Sequence, residues 1–392
     1  MTSVTLRRGR AKPLWFGHPW IYSEAIARTE GEAGPGVEVA VHDHEGRFVG
    51  RGLLSPQSQI RVRLFTRRDE PLDEAFFARR IAGAVALRRR LGLPDAATDA
   101  YRLINSEGDG LPGLIVDAYA DALVVQFGTI GMWSRQGPLL DALEAALRPR
   151  TIFSAAGSSF AAIEGFAAAP KVLRGEERDS VTCREHGIVQ AVAQLQAQKT
   201  GLFLDQRENR ARVAGLCRDA RVLDCYTYHG GFALAALQGG AAQVTAVDIS
   251  PRALEQAQAN ARLNGFAELQ TVESDAFRYL EAASPRAVDV CVVDPPKFAR
   301  ARKDLEAALK GYRRLNALAL GVIADGGLLV TCSCSQQVDA EAFERVLAGA
   351  AQDARRRLQI LEVRGPGADH PLPPGFPEGR YLKCVLARVS DD

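Results

Sequence analysis

Residues 222–232 read Val-Leu-Asp-Cys-Tyr-Thr-Tyr-His-Gly-Gly-Phe. The apolar residues before Asp224 predict a buried strand, and the two glycines predict a tight turn that opens into a helix. Glycine in such a turn lets the backbone approach a ligand closely. The turn lacks the GxGxxG pattern that cradles a pyrophosphate, which argues against a nicotinamide dinucleotide. The stretch therefore predicts the first strand and helix of an α/β domain that binds another ligand.

The same alternation of strand and helix continues toward the C-terminus. Strands are predicted at 221–226, 243–249, 269–272, 288–294 and 327–332, and helices at 231–238, 251–264 and 304–323. Strands separated by helices at this spacing predict a parallel sheet with helices on both faces. We therefore assign the C-terminal part to the α/β class, with a Rossmann-like doubly wound sheet.

The N-terminal half has a different pattern. Short β segments with glycine-rich turns, at 37–41, 48–54 and 60–65, predict a small β-barrel. Helices at 73–93 and 134–147, with a hairpin between them, predict a small α+β region. The sequence thus predicts three domains: a β-barrel over 1–68, a central α+β domain over 69–193 and the α/β domain over 194–392.

Composition limits the class of protein. The 392 residues are 47% hydrophobic and 24% charged, the mixture of a globular chain rather than a disordered or fibrous one. Runs of about 18 apolar residues are missing, so no membrane partner is expected. Residues 1–90 hold sixteen Arg and Lys against ten Asp and Glu, a net charge of +6, and the rest of the chain carries −4. A basic front predicts a polyanion-binding module, although a solvated basic face would explain it equally well.

The cysteines indicate a reducing compartment. There are seven, an odd number, and the N-terminus lacks the apolar stretch of a secretory signal. We therefore expect reduced thiols and a cytoplasmic location. No CxxC pair occurs, and Cys332-Ser333-Cys334 is too isolated to bind zinc, so no metal is expected.

Acidic residues stand at the ends of three successive strands. Asp224 ends the first strand, Asp248 ends the second 24 residues later, and Asp275 follows the third. These positions suit an ammonium group, a pair of ribose hydroxyls and an adenine edge, respectively, and Ile249 would pack against the adenine. The set resembles the motifs of class I methyltransferases, which implies S-adenosyl-L-methionine as the cofactor.

The fourth and fifth strands end in residues that suggest the reaction. The fourth runs into Asp294-Pro295-Pro296-Lys297-Phe298, a stiff turn that can aim its carbonyls and its carboxylate at a planar base. The fifth ends at Cys332-Ser333-Cys334. Carbon 5 of a pyrimidine becomes nucleophilic once a thiolate adds to carbon 6, and this chemistry needs a thiol beside the cofactor. Both Cys332 and Cys334 are candidates for this nucleophile. The alternative is that they are small buried residues that end a strand and have no chemical role.

Several motifs together resemble one family. Residues 198–207 read Gln-Lys-Thr-Gly-Leu-Phe-Leu-Asp-Gln-Arg, and with DPPKF and SCS they are similar to the RlmI-type family of large-subunit rRNA cytosine-carbon-5 methyltransferases. The resemblance covers the whole chain and implies a PUA RNA-binding domain over 1–68. It implies that Cys334 is the nucleophile and leaves Cys332 without a role. Asp294 would hydrogen-bond the base and assist protonation of its ring nitrogen.

The resemblance also implies where the cofactor binds. The 198–207 segment is expected to fold over its methionine end, with Lys199 or Arg207 at the carboxylate. A plain charged loop is the competing interpretation. The expected cofactor residues are Lys199, Phe203, Asp205, Arg207, Asp224, Tyr226, Gly230, Asp248, Ile249, Asp275, Ala276 and Asp294.

The implied partner is large-subunit ribosomal RNA, and the resemblance allows a homodimer. Basic residues give affinity for phosphates, and aromatic side chains can stack on bases. The candidates for phosphate contact are Arg7, Arg8, Arg10, Lys12, Arg61, Arg63, Arg67 and Arg68. For Trp15, Trp20 and Tyr22 the alternative is a place in the barrel core, which we favour for Trp20.

Two other functions stay open at this point. A methyltransferase of a guanine amino group would use a similar DPP turn, but with an aromatic residue where this chain has Lys297. An RNA-binding assembly factor with an idle cofactor fold would need no thiol. The intact acids and the two thiols argue against this last function.

Overall fold

The computed structural model describes residues 2–155, 159–193, 201–267, 269–299 and 302–391. The chain separates into two compact units. The first comprises Met1–Arg184, Val192–Leu204 and Ala368–Pro377. The second comprises Glu185–Ala191, Asp205–Gly367 and Glu378–Asp392.

A six-stranded sheet opens the first unit. Its elements are β1 Thr2–Leu6, α1 Lys12–Trp15, β2 Trp20–Tyr22, β3 Ile26–Glu30, β4 Glu38–His42, β5 Phe48–Leu54 and β6 Ile60–Thr66. Across the sheet the strands are ordered β2-β6-β5-β4-β1-β3. Alternate residues of β1, Val4 and Leu6, are fully buried in one apolar cluster, as expected for a strand with one covered face. The strands predicted from the sequence correspond to β4, β5 and β6.

A five-stranded sheet follows in the same unit. Its elements are α2 Glu74–Arg90, β7 Ala100–Asn105, β8 Leu114–Tyr119, β9 Ala122–Phe127, α3 Ile130–Trp133, α4 Gln136–Leu147, β10 Thr151–Ser154, α5 Ser159–Glu164 and β11 Lys171–Gly175. The order is β11-β10-β9-β8-β7. Helix α2 begins where the Asp73 side chain accepts a hydrogen bond from the Phe76 backbone N–H (2.8 Å). Strands β12 Val181–Glu185 and β13 Ile188–Val192 form a separate two-stranded sheet.

The second unit is built on a seven-stranded sheet. Its elements are α6 Arg207–Ala214, β14 Arg221–Cys225, α7 Gly231–Gln238, β15 Gln243–Asp248, α8 Pro251–Leu263, β16 Leu269–Glu273, α9 Ala276–Ala282, β17 Val288–Val293, α10 Leu305–Val322, β18 Ile323–Ser333, α11 Ala340–Ala354, β19 Arg357–Arg364 and β20 Lys383–Ser390. The order is β16-β15-β14-β17-β18-β20-β19. Strands β14 to β18 are all parallel, which confirms the predicted doubly wound sheet.

Helices cover both faces of this sheet. Val222 of β14 belongs to an apolar cluster with Phe232 of α7, whereas the next residue, Leu223, belongs to a cluster with Leu315 of α10. Successive side chains of a strand point to opposite faces, so β14 supplies both clusters. This explains the unbroken apolar run of the strand, which is typical of a parallel strand buried on both sides.

Two features of the sheet differ from the prediction. Strand β18 begins at Ile323, four residues before the expected start, because pairing with β17 continues across an irregularity near its first residues. Strands β19 and β20 were not predicted. Strand β20 lies between β18 and β19 and runs antiparallel to both, with Cys384 opposite Cys332.

Candidate active site

The site lies at the carboxyl ends of the parallel strands of the second unit. Strand β14 pairs with β15 on one side and with β17 on the other, so the chain order reverses there. In open α/β sheets, ligands bind in the crevice at such a switch point. The strand ends carry Asp224 on β14, Asp248 on β15 and the turn that begins with Asp294 after β17.

Asp224 is a buried carboxylate with one oxygen available for a ligand. Its side chain is 1% exposed. One oxygen, Oδ2, accepts hydrogen bonds from Thr227 Oγ1 (2.6 Å) and from the Ala233 backbone N–H (3.0 Å). The other oxygen, Oδ1, is buried and has no hydrogen-bond partner within the described ranges. Burial raises the pKa of Asp224 to about 7, and the two hydrogen bonds oppose the rise. A cationic group at Oδ1 would satisfy this atom and favour the ionised form.

The loop that follows Asp224 has an uncommon backbone. Tyr226, Tyr228 and Gly230 have φ values of +64°, +53° and +85°. Positive φ costs energy in non-glycine residues and is concentrated at ligand-binding sites. At Gly230 an added Cβ would lie 3.1 Å from the Ala257 Cβ, so glycine also allows helices α7 and α8 to approach each other.

Asp248, Ile249 and Asp275 surround the same strand ends. Asp248 accepts from the Tyr228 backbone N–H and from the Ser250 backbone N–H, each at 2.9 Å, which fixes its carboxylate. Each carboxylate oxygen has a second lone pair, so ribose hydroxyls can still donate to it. Ile249 is 70% exposed, as an apolar platform for an adenine would be. Asp275 accepts from the Arg278 backbone N–H (3.1 Å) and caps α9, whose first residue, Ala276, is buried.

Asp294 is held by Gln206, which was not among the residues predicted from the sequence. The side chain of Gln206 is buried and donates from Nε2 to Asp294 Oδ2 (3.0 Å). Asn209 donates to Gln206 Oε1 (2.6 Å), which fixes the orientation of the Gln206 amide. Gln206 stands inside the LDQR motif, so its position between Asp205 and Arg207 was the available signal.

The other residues expected from the 198–207 segment are only partly brought together. Asp205 accepts from the Tyr381 hydroxyl (2.7 Å), a contact that no local pattern could have predicted. Arg207 is 2% exposed, and its Nε donates to Glu208 Oε1 (3.0 Å). Phe203 belongs to the first unit, whereas the other described candidates belong to the second. Lys199 lies outside the described residues.

The cysteines separate into two groups. All seven lie within the described ranges; six are buried, and Cys334 is half-buried. The Cys334 thiol donates to the carbonyl oxygen of Pro295 (Sγ to O, 3.9 Å), which places it beside the DPP turn. Cys332 is fully buried next to Cys384, and burial raises its pKa well above the ordinary value for a thiol. Of the two predicted thiols, Cys334 is the one that is partly exposed.

The described residues fit S-adenosylmethionine. The unpartnered Oδ1 of Asp224 suits its ammonium group, the ordered carboxylate of Asp248 suits its ribose, and the exposed Ile249 suits its adenine. Among the described residues no group of His, Cys, Asp and Glu could hold a metal ion.

Two predictions for the first unit are corrected. Arg63, expected to contact phosphate, is 7% exposed and donates to Glu164 Oε1 (2.9 Å), so its charge is already used inside the fold. Trp20, favoured for the barrel core, is only half-buried; its indole N–H donates to Glu107 (2.8 Å) and its ring packs edge-on against Phe376.

Other basic candidates are available on the surface. Arg7, Arg8, Arg10, Lys12, Arg67 and Arg68 are exposed. The aromatic side chains of Trp15 (47% exposed) and Phe16 (71% exposed) line an open cavity of about 930 Å³ together with Arg67 and Arg68. Among the described residues, no helix has both the length and the apolar character needed to cross a bilayer.

Comparison with known proteins agrees with this architecture. The model of the PUA-like domain family matches residues 4–67, and that of the S-adenosylmethionine-dependent methyltransferases matches residues 164–366. The solved structure of SMU.776 in complex with SAH shares the fold, with a TM-score of 0.86 and 21% identity over 99% of this chain and 100% of that one. A SAM-dependent methyltransferase from Streptococcus mutans has a TM-score of 0.84, with 20% identity over 99% of this chain and 100% of that one.

Fold, site and matched families define an S-adenosylmethionine-dependent methyltransferase with an N-terminal PUA-like domain. Two curated relatives are called ribosomal RNA large subunit methyltransferase I. The one from Aliivibrio fischeri is 40% identical over 99% of both chains. The one from Photobacterium profundum is 40% identical over 99% of this chain and 100% of its own. The chain therefore belongs to the ribosomal RNA large subunit methyltransferase I family.

Proposed function

We propose that this enzyme methylates carbon 5 of a cytosine in large-subunit ribosomal RNA, with Cys334 as a covalent nucleophile. The observation that carries the proposal is the position of the Cys334 thiol, half-buried and 3.9 Å from the Pro295 carbonyl of the DPP turn. A thiol at that place has no use in methylation of an exocyclic amino group. The names of the curated relatives support ribosomal RNA as the substrate.

In the proposed reaction the Cys334 thiolate forms a bond to carbon 6 of the cytosine. Asp294 gives a proton to the ring nitrogen as the ring electrons shift, which makes carbon 5 enamine-like. Bound S-adenosylmethionine supplies the electrophilic methyl group. Loss of the carbon 5 proton to solvent and cleavage of the S–C6 bond then restore the aromatic ring and the thiolate, and the ring nitrogen returns its proton to Asp294.

Residues of the second unit hold the reactants in this scheme. Gln206 orients the Asp294 carboxyl through its 3.0 Å hydrogen bond. Asp224 pairs with the cofactor ammonium, Asp248 with its ribose and Asp275 with its adenine edge. The remaining proposed cofactor residues of this unit are Asp205, Arg207, Tyr226, Gly230, Ile249, Ala276 and Asp294, and Lys199 and Phe203 stay predictions from the sequence.

The first unit is proposed to bind the RNA. Its exposed basic residues attract phosphates, and Trp15 and Phe16 offer rings for stacking in the cavity that Arg67 and Arg68 also line. We retain the division into a PUA-like domain over 1–68, a central domain over 69–193 and a methyltransferase domain over 194–392. A cytoplasmic location follows from the proposed substrate, and a homodimer, which light scattering would test, from the family resemblance.

The decisive experiment is a substitution combined with a trapping assay. Cys334→Ala is expected to abolish methyl transfer to rRNA and to keep cofactor binding, since Asp224 and Asp248 are unchanged. RNA that contains 5-fluorocytosine is expected to form a covalent adduct with the wild-type enzyme, because fluorine at carbon 5 blocks proton loss. Cys332→Ala is the matched control and should still form the adduct.

Methyl transfer and adduct formation are measured by mass spectrometry of the RNA and of the protein. Full activity in Cys334→Ala would refute the covalent mechanism. Methylation of a guanine amino group by that variant would instead establish the alternative amino-methyltransferase function, and wild-type protein that fails to bind S-adenosylmethionine in calorimetry would favour an assembly factor.

A further inference from the structure

Strand β20 begins with a lysine that is buried close to the proposed nucleophile. Lys383 is 5% exposed and pairs with Ser333 across the β18–β20 ladder. Its ammonium group donates to the carbonyl oxygens of Ser335 (2.7 Å) and Tyr381 (2.8 Å). Lysine is rarely buried to this extent unless its charge is paired or hydrogen-bonded, so the groups around Lys383 indicate its role.

The first consequence of this position is mechanical. Ser335 directly follows Cys334, and its carbonyl is anchored by Lys383. The Ser335 hydroxyl lies 3.0 Å from the Tyr312 hydroxyl and also accepts from the Ala299 backbone N–H (3.4 Å). Lys383 thus completes a set of contacts that fixes the backbone immediately after the thiol.

The second consequence is electrostatic. The Pro295 carbonyl accepts from the Cys334 thiol, and an acceptor of this kind favours the neutral thiol over the thiolate. A positive charge beside the sulfur has the opposite effect. The Lys383 ammonium lies 2.7 Å from the carbonyl oxygen of Ser335, the residue after Cys334, so its charge is near enough to supply that effect.

The other groups around Lys383 come from several elements. Asp339 at the start of α11 and Cys334 raise its pKa, whereas Lys297 of the DPP turn lowers it; the phenol of Tyr312 on α10 also faces Cys334. Burial is the largest influence and lowers the pKa of Lys383 to about 8. The lysine is therefore mostly protonated at pH 7 and loses its charge as the pH rises through 8.

We propose that Lys383 is a positioning residue that holds the turn around Cys334 and whose positive charge favours the Cys334 thiolate. The inference deepens the proposed function and rests on Cys334 as the nucleophile. It assigns Lys383 no contact with the substrate.

The test measures the reactivity of the Cys334 thiol in the full-length protein without RNA or cofactor. Iodoacetamide reacts with thiolates, and peptide mass spectrometry follows Cys334 separately from the six buried cysteines. In Lys383→Met we expect alkylation of Cys334 at pH 7 to be about tenfold slower, as for a thiol whose pKa is about one unit higher. Lys383→Arg keeps the charge and should restore most of the rate.

Lys310→Met is the matched control, because Lys310 is an exposed lysine paired with Glu306 on α10. It should leave alkylation unchanged. Circular dichroism confirms that each variant is folded. The wild-type pH profile is the reference: in Lys383→Met the titration of Cys334 should move to higher pH by about one unit.

Three outcomes would overturn the inference. One is an unchanged profile in folded Lys383→Met, and another is a folded Lys383→Arg variant whose Cys334 is alkylated as slowly as in Lys383→Met. The third is a Lys383→Arg variant that forms the fluorocytosine adduct at the wild-type rate but cannot release methylated product, which would make Lys383 the base for carbon 5. Because alkylation requires no methyl transfer, failure of the proposed function, seen as an active Cys334→Ala, is distinguished from failure of this inference.

Discussion

At the level of a single residue, the burial of Asp224 affects both its protonation and the proposed binding of the cofactor. The carboxyl is taken out of water at the end of β14, and its Oδ1 atom has no hydrogen-bond partner among the residues that the structure describes. A buried oxygen without a hydrogen-bond donor destabilises the folded protein until a donor binds to it. The charge of the cofactor would remove this cost, so the same atom that weakens the unliganded fold provides affinity.

The pH dependence of cofactor binding follows from this carboxyl. The pKa of Asp224 is raised from 3.8 to about 7, so the folded protein retains a proton that the unfolded chain releases between these values. The contribution of Asp224 to stability is therefore present at low pH and is lost as the pH rises through about 7. Binding of a cationic ammonium requires the ionised form, and calorimetry should show the affinity for S-adenosylmethionine rising over the same range.

Asp224→Asn is expected to weaken cofactor binding by about ten- to a hundredfold at pH 8, the cost of a lost charged hydrogen bond. The rise in affinity near pH 7 should vanish with it. Asp353→Asn serves as control, since Asp353 is an exposed partner of Arg313. An unchanged pH profile in Asp224→Asn would assign the titration to another group.

At the level of secondary structure elements, the loop between β14 and α7 has a strained backbone conformation. Three of its residues have positive φ, and the helix that follows starts at Gly231. The loop is thus held in a form that the chain would not adopt by itself, and the packed strands and helices on either side maintain it.

We expect Gly230→Ala to lower the free energy of unfolding by about 1–3 kcal/mol, because alanine is strained at φ +85° and its Cβ would crowd Ala257. Cofactor affinity should fall as well, since the loop must move. Urea denaturation and calorimetry measure the two effects. In the control Gly321→Ala, nothing lies within 4 Å of the added Cβ, and a small gain in stability is expected. Equal stability of the two variants would contradict the argument.

Some strands and helices of the site were predictable from the local sequence, and others were not. The parallel strands and their helices follow from hydrophobic runs and caps, such as Ser250 before Pro251, that are visible in the local sequence. Strand β20 pairs with β18 about fifty residues away in the chain, and no local pattern encodes that pairing. This pairing brings Lys383, at the start of β20, and Tyr381, two residues before it, to the site. For that reason neither residue was predicted from the sequence.

At the level of the whole molecule, the basic character is concentrated in residues 1–90. The net charge of +6 over residues 1–90 is only partly surface charge, because Arg51, Arg63 and Arg88 form ion pairs with acidic residues inside the first unit. Buried pairs of this kind hold the fold together and do not attract RNA. The exposed basic residues, among them Arg67 and Arg68 beside Trp15 and Phe16, are available to phosphates.

Arg68→Ala is therefore expected to weaken rRNA binding several-fold. The slope of log affinity against log salt concentration should become less steep by about one, the value of one lost phosphate contact. Cofactor binding should be unaffected, because Arg68 belongs to the first unit. Arg345→Ala, which removes an exposed arginine of α11 paired with Glu341, is the control. Filter binding over a series of salt concentrations gives the slope. Identical slopes for both variants would show that the cavity is not the RNA site.

The sequence by itself determined the class of fold and the order of the acids along the strands, since each depends on local periodicity, and the resemblance of these motifs to class I methyltransferases implied the cofactor. Only the tertiary structure decided which thiol is partly exposed, which arginines form buried ion pairs and which lysine anchors the backbone after Cys334. Burial and charge pairing depend on segments that are distant in sequence and meet only when the sheet is assembled. For that reason Cys332 and Cys334, two residues apart, have different environments: one points into the core and the other lies at the strand end.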